Sequence, residues 1–237
     1  MKKTTLGYKS ALISGAITCA LLSQYTQAQT IGVFGLFKTQ SEGIQKKSIE
    51  KLEKQVATMD CILRREGKIL AVQGDYNTPT VNGFFLLECR QDFLRNSQSQ
   101  IVIKELRNSI DHLALIEGSI NQFGRLGLAK PGNNNSYIFK LSDYNNSAPE
   151  RRNNDLIKLN NIVNTRTDKY KNEAFIRVNN AYGMKRPDEV VVIYYDSVES
   201  GERFRANNKN QEIMALIGKF NKDHLTRAGY SIAKSNR

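Results

Sequence analysis

Two cysteines, Cys61 and Cys89, constrain the fold of this chain more than any other pair of residues. Residues 61–72 read CILRREGKILAV, which predicts a strand, a Glu-Gly turn and a second strand; FFLLEC at 84–89 predicts a third strand that brings the chain back. Strands of this length can place the first and the third within the short Cα separation that a disulfide requires. We therefore predict a Cys61–Cys89 disulfide, which would close a loop of about 28 residues and stabilise the fold by about 3 kcal/mol in the chain-entropy model.

The alternatives for these cysteines are two buried free thiols or a redox-active pair. A redox pair would ordinarily have the C-x-x-C spacing that tunes thiolate chemistry, and this sequence lacks it. Metal binding by the two cysteines is a weaker hypothesis, because no histidine lies near either of them in the sequence. The sequence predicts neither a metal site nor a cofactor.

The N-terminal segment has the composition of a secretory signal peptide. MKKTTLGYK is a basic start, SALISGAITCALL is an apolar stretch too short to span a bilayer, and residues 26–28, Thr-Gln-Ala, offer small side chains for cleavage. We predict a signal peptide at 1–28 and a single mature domain at 29–237, located in the periplasm, where disulfides form. A retained membrane anchor is one alternative. Lipoprotein cleavage before Cys19 is another, although Thr18 suits it poorly.

The chain is basic, with 35 Lys and Arg against 23 Asp and Glu. Removal of the predicted leader takes three lysines, leaving 32 basic against 23 acidic residues and a formal charge of +9. This charge favours contact with an anionic surface through long-range attraction. The densest basic stretch, 164–186, contains Tyr170, Phe175 and Tyr182 at helical core spacing, which argues for packed rings and against nucleic acid as a partner.

Hydrophobic periodicity predicts an α+β fold, with one sheet and helices packed on it. The predicted helices are 41–59, 98–123, 149–182 with a break at 164–168, and 210–225, and the predicted strands, besides those around the cysteines, are 31–37, 136–144 and 189–198. Residues 200–210 are predicted to be a loop, and a polar tail follows the last helix. The sequence has no repeat of fixed period.

The two histidines are the candidate catalytic residues if the chain is an enzyme. Each follows an aspartate, as Asp111-His112 and Asp223-His224. Adjacent residues on a helix point about 100° apart, so neither pair presents both groups to one ion. We interpret both histidines as exposed residues on helix faces and assign no catalytic residue.

Other catalytic patterns are weak. Asp75, Asp143 and Asp196 follow or end predicted strands, where converging carboxylates could hydrolyse a glycosidic bond, but turns place aspartate there more often. The S-x-x-K spacing occurs at 48–51 and at 231–234 without the S-D-N or K-T-G motifs that accompany it in penicillin-binding proteins.

In plan the chain resembles the small periplasmic accessory proteins of the AsaA type, which are associated with type VI secretion systems. The features that carry this resemblance are the MKK leader ending in Thr-Gln-Ala, the single mature domain and the absence of convincing catalytic motifs. The resemblance implies a non-enzymatic protein that binds and helps to assemble or position an envelope complex. Its natural partner would be an inner-membrane component of the secretion apparatus. The alternative is a secreted or periplasmic hydrolase acting on cell-wall polymer or nucleic acid.

Overall fold

Eight antiparallel strands form a closed barrel with helices on its outside, in a computed structural model that describes residues 30–76, 80–121, 135–165, 171–207 and 210–236. The strands are β1 (Ile31–Lys38), β2 (Cys61–Gly74), β3 (Gly83–Cys89), β4 (His112–Asn121), β5 (Ser136–Tyr144), β6 (Lys171–Tyr182), β7 (Glu189–Tyr195) and β8 (Leu225–Ser235). The helices are α1 (Glu42–Ala57), α2 (Ser97–Ser109), α3 (Pro149–Thr165), α4 (Val198–Ala206) and α5 (Gln211–His224). The predicted signal peptide at 1–28 lies outside the described residues.

The barrel consists of two halves, βαββαβ from β1 to β4 and βαββααβ from β5 to β8. Its strand order is β1-β3-β2-β8-β5-β7-β6-β4, so the first half has the order 4-1-3-2 and the second half the equivalent order 8-5-7-6. The halves join where β2 pairs with β8 and where β4 pairs with β6. The prediction of one sheet covered by helices is therefore wrong, because the sheet closes on itself and has no free edge.

The interior of the barrel is filled by aromatic side chains. The ring of Phe139 lies 4.5 Å from that of Phe34 and 4.7 Å from that of Phe84, measured between centroids. Arg65 is also buried inside, and its Nε donates a hydrogen bond of 2.6 Å to the hydroxyl of Tyr137. The interior is thus a packed core.

The outer face of each half-sheet is covered by its own helices. On the first half, α1 and α2 bury Leu52, Val56 and Leu106 against the outward side chains of the sheet, such as Val33 and Leu87. On the second half, α3 and α5 cover the sheet less completely. Side chains therefore fill the space between the second half-sheet and these helices only in part, and a cavity remains there.

The Cys61–Cys89 disulfide is present, as predicted. The two residues face each other directly across β2 and β3, with their Cα atoms 4.1 Å apart. The route of the chain differs from the prediction, since residues 61–74 form one long strand. Glu66 and Gly67 lie within it rather than in a turn, and the strand changes register at bulges near Leu63 and Ile69.

Several other predicted elements have different ends or types. The predicted helix 98–123 ends at Ser109 and continues as β4, and the helix predicted for 149–182 contains α3 and then β6. The predicted loop 200–210 is largely α4, and the predicted polar tail is β8. The strands predicted at 31–37, 136–144 and 189–198 and the helix predicted at 41–59 are confirmed within a few residues. No helix in the described part of the chain is long and apolar enough to cross a membrane.

Candidate functional site

A cavity of about 470 Å³ lies between the second half-sheet and the helices α3 and α5. Its walls are mainly apolar and include Ile138, Leu159, Phe175, Val191, Ile193 and Ile217. Gly218 of α5 also lines it, and a Cβ atom added there would meet no other atom within 4 Å. Gly218 is exposed, so it lies where the cavity meets the solvent.

Two ionisable side chains, Lys140 and Glu189, line this apolar cavity. Leu141 and Val190, which follow them on β5 and β7, point into the barrel core, so strand alternation turns Lys140 and Glu189 outward. Lys140 is 8% exposed and Glu189 is 5% exposed. The register pairs Lys140 with Val191 and Ser142 with Glu189, which makes Lys140 and Glu189 diagonal neighbours on one face.

A chain of hydrogen bonds holds the lysine in place. Lys140 Nζ donates to Asn221 Oδ1 at 2.6 Å, and Asn221 Nδ2 donates to the Tyr230 hydroxyl at 2.8 Å. The ammonium group also lies 5.8 Å from the centre of the Phe220 ring. Asn221 and Tyr230 line the same cavity, so the polar groups converge on one part of its surface.

Burial perturbs the protonation of both ionisable groups. It lowers the pKa of the Lys140 ammonium and raises the pKa of the Glu189 carboxyl, while the attraction between the two groups acts in the opposite direction on each. Burial also raises the pKa of Tyr230, whose hydroxyl accepts the hydrogen bond from Asn221. A carboxyl and an amine whose pKa values move toward neutrality can exchange protons with a bound molecule near physiological pH.

The candidate pair Asp111-His112 lies away from this cavity, in the first half. His112 is the first residue of β4 rather than a helical residue, and its Nε2 is buried without a hydrogen-bond partner among the described residues. Asp111 accepts a hydrogen bond from Gln40 Nε2 at 3.2 Å. This pair therefore does not form an acid-base dyad.

The other candidate pair, Asp223-His224, is also split between different partners. His224 is 3% exposed, against the expectation of an exposed histidine, and its Nε2 lies 2.9 Å from Asp155 Oδ2. This hydrogen bond is the main reason why the pKa of Asp155 is lowered. Asp223 pairs with Lys219 at 2.7 Å instead. No group of three or more His, Cys, Asp or Glu residues that could hold a metal occurs in the described part of the chain.

The aspartates near strand ends do not converge either. β5 and β7 are antiparallel, so Asp143, near the end of β5, lies beside the start of β7, whereas Asp196 follows the end of β7. Asp143 forms ion pairs with Lys185, at 3.0 Å, and with Arg227. Asp143 and Asp196 thus lie at opposite ends of β7 and are not the two facing carboxylates that glycoside hydrolysis needs. Asp75 follows β2, and its amide donates a hydrogen bond of 3.0 Å to the Ala228 carbonyl.

Lys140 and Glu189 were missed because each lies in a segment that predicts an ordinary strand. The pattern that could have identified them is a charged residue inside or beside an apolar run, as in YIFKLS and EVVVIYY. A strand that is apolar on both faces is buried on both faces, so a charge within it must be buried as well. Buried charges of this kind are candidates for a functional site.

Comparison with known proteins gives likenesses of fold. No protein-family model and no curated protein matches the sequence. An anthrone oxidase-like protein has a TM-score of 0.59 at 12% identity, over 88% of this chain and 92% of that chain. The chlorite dismutase of Candidatus Nitrospira defluvii in complex with imidazole has a TM-score of 0.57 at 12% identity, over 90% and 93%. A protein from Lactobacillus acidophilus named as a monooxygenase has a TM-score of 0.52 at 10% identity, over 88% and 95%.

These neighbours correct the functional prediction. The structures given above are named as an anthrone oxidase-like protein, a monooxygenase and a chlorite dismutase, and none of these three is a secretion accessory protein. The expectation of a non-enzymatic protein that assembles an envelope complex is therefore wrong. It rested on the absence of sequence motifs, and Lys140 and Glu189 of the cavity belong to no such motif.

Proposed function

We propose that the protein is an enzyme of the oxidoreductase type that binds a small, mainly apolar substrate in the cavity and removes a proton from it. The observation that carries the proposal is the pair of buried ionisable groups, Lys140 and Glu189, on the surface of an otherwise apolar cavity. The names of the proteins that share the fold support the oxidoreductase class.

The cavity favours an aromatic or polycyclic substrate. Its volume of about 470 Å³ falls within the range of about 300 to 1,000 Å³ that is usual for small-molecule sites. Branched aliphatic side chains and the ring of Phe175 form most of its walls, which suits a flat apolar body. The few polar groups lie together, so they would contact one end or edge of the substrate and orient it.

The proposed chemical step is proton transfer from carbon. The Glu189 carboxylate takes a proton from an acidic C–H bond, and the Lys140 ammonium stabilises the negative charge that develops on the substrate. Asn221 and Tyr230 hold the lysine in position through their hydrogen bonds. Oxidation of the resulting carbanion by dioxygen balances without a further reductant, since a methylene group and one dioxygen molecule give a ketone and one water.

The cavity does not fit a haem. A haem iron needs an axial ligand such as histidine, cysteine, methionine or tyrosine. The described lining contains no histidine and no cysteine. Met214 is 37% exposed, the hydroxyl of Tyr230 is engaged with Asn221, and the ring of Tyr195 packs against Phe204. No step of the proposed reaction therefore uses a metal centre.

Binding in the cavity is tested with N-phenyl-1-naphthylamine, an uncharged aromatic probe whose fluorescence rises in apolar surroundings. We expect the protein to bind it and Gly218→Trp to weaken binding at least about tenfold, because Gly218 lines the cavity where it meets the solvent and an indole there would obstruct entry. Gly218→Ala is the matched control, which adds only a methyl group and should retain binding. Unchanged affinity in the tryptophan variant would place the ligand elsewhere.

Proton transfer is tested by hydrogen exchange at a carbon acid. Anthrone and related tricyclic ketones are incubated with the protein in D₂O without oxygen, and loss of the methylene proton signal is followed by NMR. We expect the protein to accelerate exchange and Glu189→Gln to abolish the acceleration, because the amide cannot accept the proton. Equal exchange in both proteins would exclude Glu189 as the base.

A further inference from the structure

A smaller cavity adjoins the main one and is lined by buried and polar groups. It has a volume of about 80 Å³ and shares Leu156, Phe175 and Glu189 with the main cavity. Arg152 from α3 and Arg177 from β6 line it as well. A ligand lying in the main cavity could therefore extend one end into a space that faces two guanidinium groups.

Arg152 is a buried cation without a carboxylate partner in the described part of the chain. It is 8% exposed, and its guanidinium carbon lies 4.0 Å above the centre of the Tyr144 ring. Among the described residues, its one hydrogen bond to a side chain is a long one of 3.4 Å, from Nη1 to Asn146 Oδ1. No carboxylate of the described residues lies within 4.0 Å of its nitrogens. Most of the donors of a planar guanidinium are thus left for a ligand.

The surroundings of Arg152 favour the arrival of a negative charge. Burial is the main reason why its pKa is lowered, repulsion from Arg177 adds to this effect, and attraction by the Asp188 carboxylate offsets part of it. An anion between the two arginines would relieve both costs.

The two carboxyl groups beside the smaller cavity do not satisfy these arginines. Asp188 Oδ2 accepts a hydrogen bond of 2.8 Å from the Tyr144 amide, and burial raises the pKa of Asp188. Burial likewise raises the pKa of Glu189, and the attraction of Lys140, its partner in the main cavity, acts in the opposite direction.

We propose that Arg152, together with Arg177, binds a carboxylate on the substrate whose apolar body lies in the main cavity. The inference rests on the proposed function and narrows the substrate class to apolar organic acids. A carboxylate has two oxygens that match the paired donors of a guanidinium, and it is small enough for a space of about 80 Å³. Glu189 lines both cavities, so the acidic C–H bond would lie near the carboxylate end of the substrate.

The experiment compares 2-naphthylacetate with its uncharged methyl ester as competitors that displace N-phenyl-1-naphthylamine. We expect the acid to bind about ten- to a hundredfold more tightly than the ester, the usual effect of a charge-assisted hydrogen bond. Arg152→Gln should bring this ratio close to one while leaving ester binding unchanged, and Arg152→Lys should restore part of it. Arg151→Gln is the matched control, because Arg151 is the exposed neighbour that pairs with Asp155 and Asp223.

The outcomes separate the inference from the proposed function. If the neutral probe and both competitors fail to bind, the proposed function fails and the inference fails with it. If all three bind but the acid has no advantage, or its advantage survives Arg152→Gln, the inference alone is overturned. Should Arg152→Gln not fold, Arg177→Gln provides the same test on an exposed side chain, and an unchanged ratio there overturns the role of the arginine pair.

Discussion

Gly67 and Gly118 each lie at one of the two joints between the halves of the barrel, and each faces a backbone carbonyl of the other half. Gly67 of β2 faces the backbone carbonyl of Lys234 on β8, and Gly118 of β4 faces that of Arg177 on β6. A Cβ atom at either glycine would overlap the carbonyl oxygen. The close approach of the two halves therefore depends on the absence of a side chain at both joints.

Alanine at either of these glycines should weaken the barrel. We expect Gly67→Ala and Gly118→Ala each to lower the free energy of unfolding by about 3 kcal/mol, at the upper end of overpacking effects, because the atom that obstructs the methyl group is backbone. Urea unfolding followed by circular dichroism measures the change. Gly43→Ala is the control, since its Cβ would touch only Ser41 Oγ at 4.0 Å. Equal stability of the three variants would contradict the closed barrel.

The Lys140 and Glu189 pair should give the protein an unusual pH dependence of stability. Burial raises the pKa of Glu189 from 4.5 to about 8, so between these pH values the folded protein keeps a proton that the unfolded chain has released. Stability contributed by this group is therefore present below pH 4.5 and is lost as pH rises toward 8. Glu189→Gln should lack this loss, and its stability relative to the native protein should increase across the interval.

The lysine should act in the opposite direction. Burial lowers the pKa of Lys140 from 10.5 to about 8, so its contribution is present above 10.5 and lost as pH falls toward 8. Lys140→Met should remove this loss of stability as pH falls from 10.5 toward 8. Urea unfolding at several pH values measures both variants, with Glu50→Gln at an exposed helix position as the control. If the difference in free energy of unfolding between Glu189→Gln and native protein did not change with pH, this would show that Glu189 is not buried in the folded state.

The hydrogen bond from Asn221 to Tyr230 should contribute measurably to stability. Tyr230→Phe removes the acceptor and leaves the Asn221 amide with one partner fewer, which should cost about 1 kcal/mol. Tyr182→Phe is the control, because its hydroxyl accepts a hydrogen bond from Arg107 at an exposed position and its loss should cost less. An equal cost in both variants would contradict a fixed polar chain behind Lys140.

The elements that were predicted correctly are those with one dominant pattern. Residues 41–59 have the helical spacing of an amphipathic helix, and the side chain of Ser41 caps it by accepting from the Ile44 amide at 3.3 Å. VVVIYY, residues 190–195, is apolar throughout, and β7 is buried along its whole length. In both cases the local pattern and the final environment agree.

The strands that were missed are those whose side-chain burial depends on the closing of the sheet into a barrel. β4 buries Leu113 and Leu115 under helices and Ala114 and Ile116 inside the barrel, so it shows no alternation and was interpreted as more helix. β8 turns only small residues, such as Ser231 and Ala233, toward the barrel core, because large aromatic rings already fill it. Neither segment has the alternation of large apolar and polar residues by which a half-buried strand is identified.

The disulfide should contribute about 3 kcal/mol to the stability of the protein, because it closes a loop with a sequence separation of 28 residues in the unfolded chain. Replacement of both Cys61 and Cys89 by alanine removes this constraint, and urea unfolding of oxidised and reduced protein gives the comparison. Native protein after reduction should have nearly the stability of the double variant, and a reducing agent should not alter the variant. Both sulfur atoms lie in a packed core, so part of any loss could come from the two side chains themselves. The difference between oxidised and reduced native protein avoids that contribution, and a difference below about 1 kcal/mol would mean that the bridge adds little constraint to the unfolded chain.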